Sequence, residues 1–256
     1  MQKEGSEIIF SASDLANFLD CEHLTALDLK NFDMPMEKAA DDENALLIQK
    51  HGYAHEQAFA ARLKSKHKTF VDISQVGKDK KKQLDATIQA MKDGIEVIYQ
   101  AALRYGNVAG YSDFLRRVEY PSQLGSYSYE VLDTKLARSP RAKFLIQLAF
   151  YSELVSTIQK TPPKMMYVVL GSGKEIGYRL ADYTHYYSRL KTKFMAKVGT
   201  PMSGTYPNPC DRCSLCHWRE NCEKHRIADD HLSQVASISR IQIKKLNAAG
   251  IPHLRV

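Results

Sequence analysis

The chain has 256 residues, with 36 Lys and Arg against 29 Asp and Glu, so its formal net charge is +7. Hydrophobic residues make up 44% and charged residues 25%, as in an ordinary globular protein, which excludes a disordered tail, a collagen-like fibre and a coiled coil. No stretch approaches the roughly 20 apolar residues of a membrane-spanning helix, and residues 1–10 lack the apolar core of a signal peptide. We therefore expect a cytoplasmic protein that does not bind membranes.

The first third of the chain is predicted to alternate helices with a short strand. Ser11 or Ser13 is suited to cap a helix through LANFLDCEHLTALDL (15–29), and a longer helix is expected over about residues 42–66. A strand at TFVDIS (69–74) and a helix near residues 82–93 follow. The longer helix has an inward stripe at helical spacing, which consists of Ile48, Gly52, His55, Phe59 and Leu63.

The middle of the chain reads as strands interrupted by one helix. Three β-like runs are expected at 96–104, 109–120 and 127–138, then a helix that Pro140 opens. A hairpin around Ser172 and Gly173 precedes a helix at about 184–196. This order predicts an α/β fold with a mixed central sheet flanked by helices.

The cysteines are concentrated near the C-terminal end. Four of the five lie within thirteen residues, at Cys210, Cys213, Cys216 and Cys222, and Cys21 stands alone near the other end. Clustered cysteines at two-residue gaps indicate metal ligands in a reducing compartment. Residues 205–225 show no helical or strand periodicity. The chain turns helical again after His231 and stops at Val256, so we expect the front part of a longer protein with further C-terminal domains.

An Asp-x-Lys pair and a second aspartate form the strongest chemical pattern. Asp133 and Lys135 project to the same face of a strand, in an apolar context where a charge is costly unless it is paired or metal-bound. Asp113 lies in the preceding strand, one hairpin away. Two converging carboxylates suit Mg²⁺ or Mn²⁺, and the lysine could orient a water and stabilise charge on a phosphate. The alternative is a buried Asp–Lys ion pair with a capping Asp113.

Four further residues give weaker signals. His55 is a metal-ligand candidate because Gly52 leaves it room, although a lone histidine on an apolar stripe is commonly part of the core. Gln147 and Tyr151 share one helix face and could reach a substrate or brace the site. Glu130 points to the strand face opposite Asp133, where a solvent-facing or structural role is expected.

Four motifs in order resemble the RecB-family nucleases of the PD-(D/E)XK superfamily. They are GYAHE (52–56), GYSDFL (110–115), EVLDTK (130–135) and QLAFY (147–151). The resemblance covers residue 11 to about 232 and implies the restriction-endonuclease-like core of that superfamily. Ser112 replaces the proline for which the superfamily is named.

The resemblance implies a role for each matched residue. His55, Asp113 and Asp133 would be metal ligands together with the carbonyl oxygen of Thr134. Lys135 would be the catalytic lysine, and Gln147 with Tyr151 would form the family's Gln-x-x-x-Tyr motif.

The cysteines resemble those of a subset, the CRISPR-associated RecB-like exonucleases and the AddB nuclease domain. The resemblance implies a [4Fe–4S] cluster held by Cys21, Cys213, Cys216 and Cys222. The residues alone leave an alternative open, a zinc site formed by Cys210, Cys213, Cys216 and Cys222. Trp218 is expected to pack beside the metal.

The expected function is a Mg²⁺- or Mn²⁺-dependent DNA nuclease, exonuclease-like, acting on single-stranded DNA or DNA ends in repair, recombination or defence. A nuclease-like module that binds nucleic acid without cleaving it is one alternative, and a zinc-ribbon interaction protein is another. The expected boundaries are a nuclease domain at 1–204 with its core at 42–171, a cysteine-rich segment at 205–230, and a truncated helix-hairpin-helix-like unit at 231–256.

Overall fold

The computed structural model describes residues 1–40, 43–200, 202 and 204–255. The chain divides into two compact units, which are treated separately below. The first is built from residues 1–19 and 47–196, and the second from the described parts of 20–46 and 197–256. Across the described residues, none of the helices has the length and apolar character needed to cross a membrane. The cytoplasmic location stays a prediction.

A six-stranded mixed sheet forms the centre of the described part of the first unit. The strand order is β3-β4-β5-β6-β7-β8; β3 runs parallel to β4 and β6 parallel to β7, and the other neighbours are antiparallel. This confirms the predicted α/β fold with a mixed sheet. The strands are β3 (Phe70–Asp72), β4 (Val97–Tyr105), β5 (Val108–Val118), β6 (Ser128–Lys135), β7 (Met165–Leu170) and β8 (Glu175–Arg179).

Helices cover both faces of this sheet, and the predicted helices are present with shifted ends. Residue 42, where the second helix was expected to begin, lies outside the described residues. The helices that contribute to the first unit are α1 (Ala12–Asp20), α3 (Glu43–Lys66), α4 (Lys80–Lys92), α5 (Ala142–Gln159) and α6 (Ala181–Val198).

Alternating residues of β6 show which helix covers which face. Leu132 packs with Phe59 of α3, whereas the Tyr129 hydroxyl donates to the backbone carbonyl of Ile95, just after α4, at 2.7 Å. Residues three apart in a strand point to opposite faces, so α3 and α4 lie on opposite sides of the sheet. Lys135 shares the Tyr129 face, and its ammonium lies 5.7 Å from the ring centre of Phe144 in α5. The strand carrying the Asp-x-Lys pair is therefore buried between two helical layers.

A short N-terminal hairpin was missed by the sequence reading. Strands β1 (Gln2–Glu4) and β2 (Glu7–Ile9) pair antiparallel across a turn at Gly5, whose φ of +62° favours glycine. The Gly-Ser pair in EGSE is the signal that could have indicated this turn.

The second unit shows two departures from the prediction. The helix expected over 15–29 is interrupted at Cys21, whose extended backbone separates α1 from α2 (Glu22–Asp33). Part of the aperiodic cysteine-rich segment is helical, as α7 (Arg219–Ala228), and α8 (Arg240–Ala248) follows. α8 begins with a capping box between Ser239 and Gln242, which satisfies donors that the helix start leaves open. The predicted domain boundaries stay a prediction.

Candidate metal-dependent active site and cysteine cluster

Asp113 and Asp133 lie side by side where strands β5 and β6 separate. The antiparallel ladder between these strands ends at Phe114 and Leu132, so the next residues along both strands are Asp113 and Asp133. The Asp113 carboxylate accepts hydrogen bonds from the backbone N–H of Thr134 at 2.7 Å and from its hydroxyl at 2.8 Å. The predicted approach of the two aspartates is therefore present.

The ladder on the other side of β5 is also interrupted at this point. The pairing of β4 with β5 omits Gln100 and Asp113, and Gln100 has a left-handed backbone with φ of +52°. A non-glycine residue in this region costs about 1 kcal/mol or more, and such residues cluster at functional sites. Asp113 thus lies at a gap in the ladders on both sides of its strand.

Asp133 and Lys135 form a buried ion pair. The Lys135 ammonium contacts the Asp133 carboxylate, which is 3% exposed. Burial raises the pKa of Asp133 to about 7, because the attraction of Lys135 only partly offsets the desolvation and the repulsion from Asp113 and Glu56. Burial by itself lowers the pKa of Lys135. The nearby carboxylates raise this pKa by more than burial lowers it, so the ammonium stays protonated.

Glu56 is the third carboxylate of the site, and the sequence reading gave it no role. Its side chain accepts a hydrogen bond from the Tyr99 hydroxyl at 2.7 Å and contacts the Gln100 amide. Burial, followed by repulsion from Asp113, raises the pKa of Glu56. The helix α3 thus brings a carboxylate into electrostatic range of both Asp113 and Lys135. The sequence signal that could have indicated Glu56 is its position directly after His55.

The remaining predicted residues lie on the expected elements. The Nε2 atom of His55 is buried and has no hydrogen-bond partner among the described residues. Tyr151 is 8% exposed on α5, and half-buried Gln147 lies one turn before it. Burial, then the charges of Asp133 and Asp113, raise the pKa of Tyr151. The catalytic and ligand roles of these residues stay predictions.

Glu130 has a structural role, which is one of the two roles expected from the sequence; the other was a solvent-facing position. It is 5% exposed, and its carboxylate accepts from the backbone N–H of Met165 at 3.0 Å and from the Tyr167 hydroxyl at 3.1 Å. These bonds connect β6 to the neighbouring strand β7, so Glu130 is separate from the carboxylate group at Asp133.

The site as a whole carries more negative than positive charge. Asp113, Asp133 and Glu56 face one ammonium, that of Lys135. An ion pair with a capping aspartate, the structural alternative, accounts for the Asp133–Lys135 and Asp113–Thr134 contacts, but not for the third carboxylate, that of half-buried Glu56, in electrostatic range of them. Buried negative charge without a matching cation is costly, and a divalent cation would offset it.

All five cysteines line one small cavity of about 20 Å³ in the second unit. The sulfur atoms of Cys210 and Cys213 are 3.7 Å apart, and the Cys216 sulfur accepts from the backbone N–H of Trp218 at 3.4 Å. Burial raises the pKa of Cys21, Cys213 and Cys216, and that of Cys222 to about 11. Without a metal these thiols are therefore protonated at neutral pH.

Trp218 connects the cysteine segment to helix α2. Its ring is fully buried and belongs to one apolar cluster with Leu24, Leu27 and Cys216, as expected for packing beside the cysteines. The indole N–H donates to the Asp28 carboxylate at 2.9 Å, and His217 lies 2.8 Å from the same oxygen. These bonds, with burial opposing them, lower the pKa of Asp28.

The residues present are suited to a divalent cation at the carboxylates and to an iron–sulfur cluster or zinc at the cysteines. In the described part of the chain, however, no three His, Cys, Asp or Glu side chains are already placed to hold an ion. Carboxylates are the ligands of Mg²⁺ and Mn²⁺, and the buried, unpartnered His55 nitrogen offers one more donor. Thiols around one cavity suit an iron–sulfur cluster or zinc. Because Cys21 and Cys210 both line the cavity, both ligand sets remain open.

No protein-family model matches this sequence, and no curated protein matches it.

Proposed function

We propose that the protein is a metal-dependent DNA nuclease with a PD-(D/E)XK core, resembling the RecB family. The observation that carries the proposal is the convergence of Asp113, Asp133 and Glu56 beside Lys135, where β5 and β6 separate. Excess buried carboxylate beside a lysine is the arrangement that phosphodiester hydrolysis with Mg²⁺ or Mn²⁺ requires.

Each side chain has a separate task in this proposal. Asp113 and Asp133 would hold the ion, with Glu56, His55 and the carbonyl oxygen of Thr134 as further donors. The ion supplies charge neutralisation for the phosphate and for the attacking water. Lys135 stabilises the negative charge that grows on the phosphate in the transition state. The basic residues of the first unit attract DNA in a salt-dependent manner.

A cleavage assay on end-labelled single- and double-stranded DNA with Mg²⁺ or Mn²⁺ tests the proposal. Asp133→Asn and Lys135→Ala should each lower the rate at least a hundredfold, because the first removes the charge of a metal ligand and the second removes the cation that stabilises the phosphate in the transition state. The exposed residues Asp85 and Lys92 provide matched controls, and Asp85→Asn and Lys92→Ala should retain the wild-type rate. Cleavage that survives both active-site substitutions contradicts the assignment. Tight DNA binding without cleavage in Mn²⁺ supports the non-catalytic module instead.

We further propose that the second unit holds a structural [4Fe–4S] cluster through Cys21, Cys213, Cys216 and Cys222. The position of Cys21 on the same cavity as the three later cysteines supports this set. The cluster would connect α2 to the cysteine segment beside Trp218.

Anaerobic purification followed by iron, sulfide and zinc analysis separates the cluster from the zinc alternative. Cys21→Ser should abolish iron binding and the absorbance near 400 nm, whereas Cys210→Ser should retain both. A colourless protein with one zinc, which Cys210→Ser loses and Cys21→Ser keeps, contradicts the cluster.

A further inference from the structure

A cavity of about 560 Å³ lies within the first unit, in the size range of small-ligand sites. Its walls come from the N-terminal segment 1–11, the start of α4, and the ends of β4 and β5. Tyr151 of α5 completes the lining. Among the described residues with a proposed catalytic or ligand role, only Tyr151 lines this cavity.

The cavity lies beside the carboxylate site along β5. Gly110 and Tyr111 line it, and Asp113 follows Tyr111 by two residues on β5, a separation of about 7 Å at 3.3–3.4 Å per residue. Tyr151 packs closely on Gly110: an added Cβ there would lie 3.0 Å from the tyrosine ring. Tyr151 therefore lies against β5 at the edge of the cavity, beside a residue three positions from Asp113.

Most of the lining is apolar, with one exposed aromatic ring. Tyr111 is 40% exposed, and its hydroxyl donates to the Gln83 side chain at 2.5 Å, which fixes the ring at one edge. A fixed, exposed ring offers a surface on which a planar base can stack. The other apolar residues of the lining include Ile9, Phe10, Leu84 and Leu103.

One cation of the lining has no acidic partner among the described residues. Glu4 binds Lys80 at 3.0 Å and Arg104 at 2.7 Å, and Glu7 lies 3.7 Å from Arg104, so two carboxylates compensate these two cations. Lys81, the next residue of α4, is exposed, and its backbone N–H donates to the Asp79 carboxylate at 2.9 Å. An apolar cavity with one uncompensated ammonium suits a flat ring attached to an anion.

We propose that this cavity holds one nucleotide of single-stranded DNA, with its base stacked on Tyr111 and a phosphate bound by Lys81. The inference rests on the proposed nuclease function and specifies its substrate as unpaired DNA. A paired base cannot enter, because it would first have to leave its stack and its partner. The nucleotide in the cavity positions the adjacent phosphate at Asp113 and Asp133.

Fluorescence anisotropy with a labelled twelve-nucleotide oligo-dT in EDTA tests the site without cleavage. Tyr111→Leu should weaken binding by about 5–160-fold, since stacking contributes about 1–3 kcal/mol per base. Lys81→Ala should weaken binding and reduce the slope of log affinity against log salt by about 0.7. Lys82 is the neighbouring exposed lysine, and Lys82→Ala is the matched control, which should leave both the affinity and the salt slope unchanged. A labelled blunt hairpin should bind equally well to the wild type and to each variant.

Equal binding by Lys81→Ala and Lys82→Ala, together with unchanged binding by Tyr111→Leu, overturns the inference. Cleavage in Mn²⁺ is measured for the same variants to separate the two proposals. Cleavage that is independent of Tyr111 and Lys81 contradicts the nucleotide site and leaves the nuclease intact. Binding that depends on both residues, in a protein that does not cleave, contradicts the nuclease and retains the nucleotide site.

Discussion

Asp113→Asn should stabilise the metal-free protein and remove most of its response to Mn²⁺. In the wild type, Thr134 donates two hydrogen bonds to the Asp113 carboxylate, at 2.7 and 2.8 Å. The asparagine side-chain carbonyl oxygen can accept both bonds, so the local backbone is retained. The substitution removes one of three negative charges around Lys135. The same charge that favours a cation therefore opposes folding when the cation is absent.

The pKa of Asp133 sets the scale of this effect. Its rise from 3.8 to about 7 corresponds to about 4 kcal/mol against the ionised form, at 1.36 kcal/mol per pKa unit. Burial is the largest cause of this rise and Asp113 a smaller one, and Asp113 also attracts Lys135, so removing the Asp113 charge should raise the free energy of unfolding by less than about 1 kcal/mol at pH 8. If Mn²⁺ binds the wild type with a Kd of about 10 µM, 1 mM Mn²⁺ adds about 2.7 kcal/mol. That corresponds to about 5–10 °C in Tm for a chain of this length.

Thermal unfolding in EDTA and in 1 mM MnCl₂ measures both effects, with Asp85→Asn as the control for an exposed aspartate in the same unit. We expect Asp113→Asn to have the higher Tm in EDTA and the lower Tm in Mn²⁺. A variant that is less stable than wild type in EDTA, or that keeps the full Mn²⁺ shift, refutes the charge argument. Asp85→Asn should follow the wild type in both buffers.

Three other substitutions test single contacts. Gly110→Ala places a Cβ 3.0 Å from the Tyr151 ring, so DNA cleavage should fall about tenfold as the ring is displaced, and an unchanged rate would show that Tyr151 has no role. Gly52→Ala meets its nearest atom only at 3.9 Å, so urea unfolding should show a gain of about 0.5–1 kcal/mol from helix propensity, with the cleavage rate retained. Trp218→Phe removes the hydrogen bond to Asp28 and should cost about 1.5–3 kcal/mol, measured by circular dichroism in urea; a smaller loss would mean that His217 alone satisfies the carboxylate.

The strand pattern was readable from the sequence because it depends on alternation. Residues two apart in a strand share a face whatever surrounds them, so the Asp133–Lys135 contact followed from spacing alone. The approach of Asp113 followed from one hairpin between neighbouring strands. The separation of β5 from β6 at these residues was not readable, because no residue type marks the end of a ladder.

The helical side of the site was less predictable. The stripe from Ile48 to Leu63 was read as inward, yet Ile48 is 55% exposed while Phe59 and Leu63 are each 3% exposed. A pattern fixes the spacing of apolar residues but not where along a 24-residue helix the contact with the sheet begins. The adjacent residues His55 and Glu56 point about 100° apart, so the choice between them required the packing of α3. The break at Cys21 had no glycine or proline to announce it.

The cavity shared by Cys21 and Cys222 has a consequence for the order of events during synthesis. By sequence number, 213 − 21 = 192 positions separate Cys21 from Cys213, and the first unit's residues 47–196 lie between them. A ribosome must therefore translate most of the chain before all the thiols of this cavity exist, and the entropy of closing so long a loop opposes their meeting until the intervening residues have folded. We expect metal to be captured late, after translation has passed Cys222. If the proposed [4Fe–4S] cluster occupies this cavity, cells starved of iron should accumulate chains whose second unit alone is sensitive to protease.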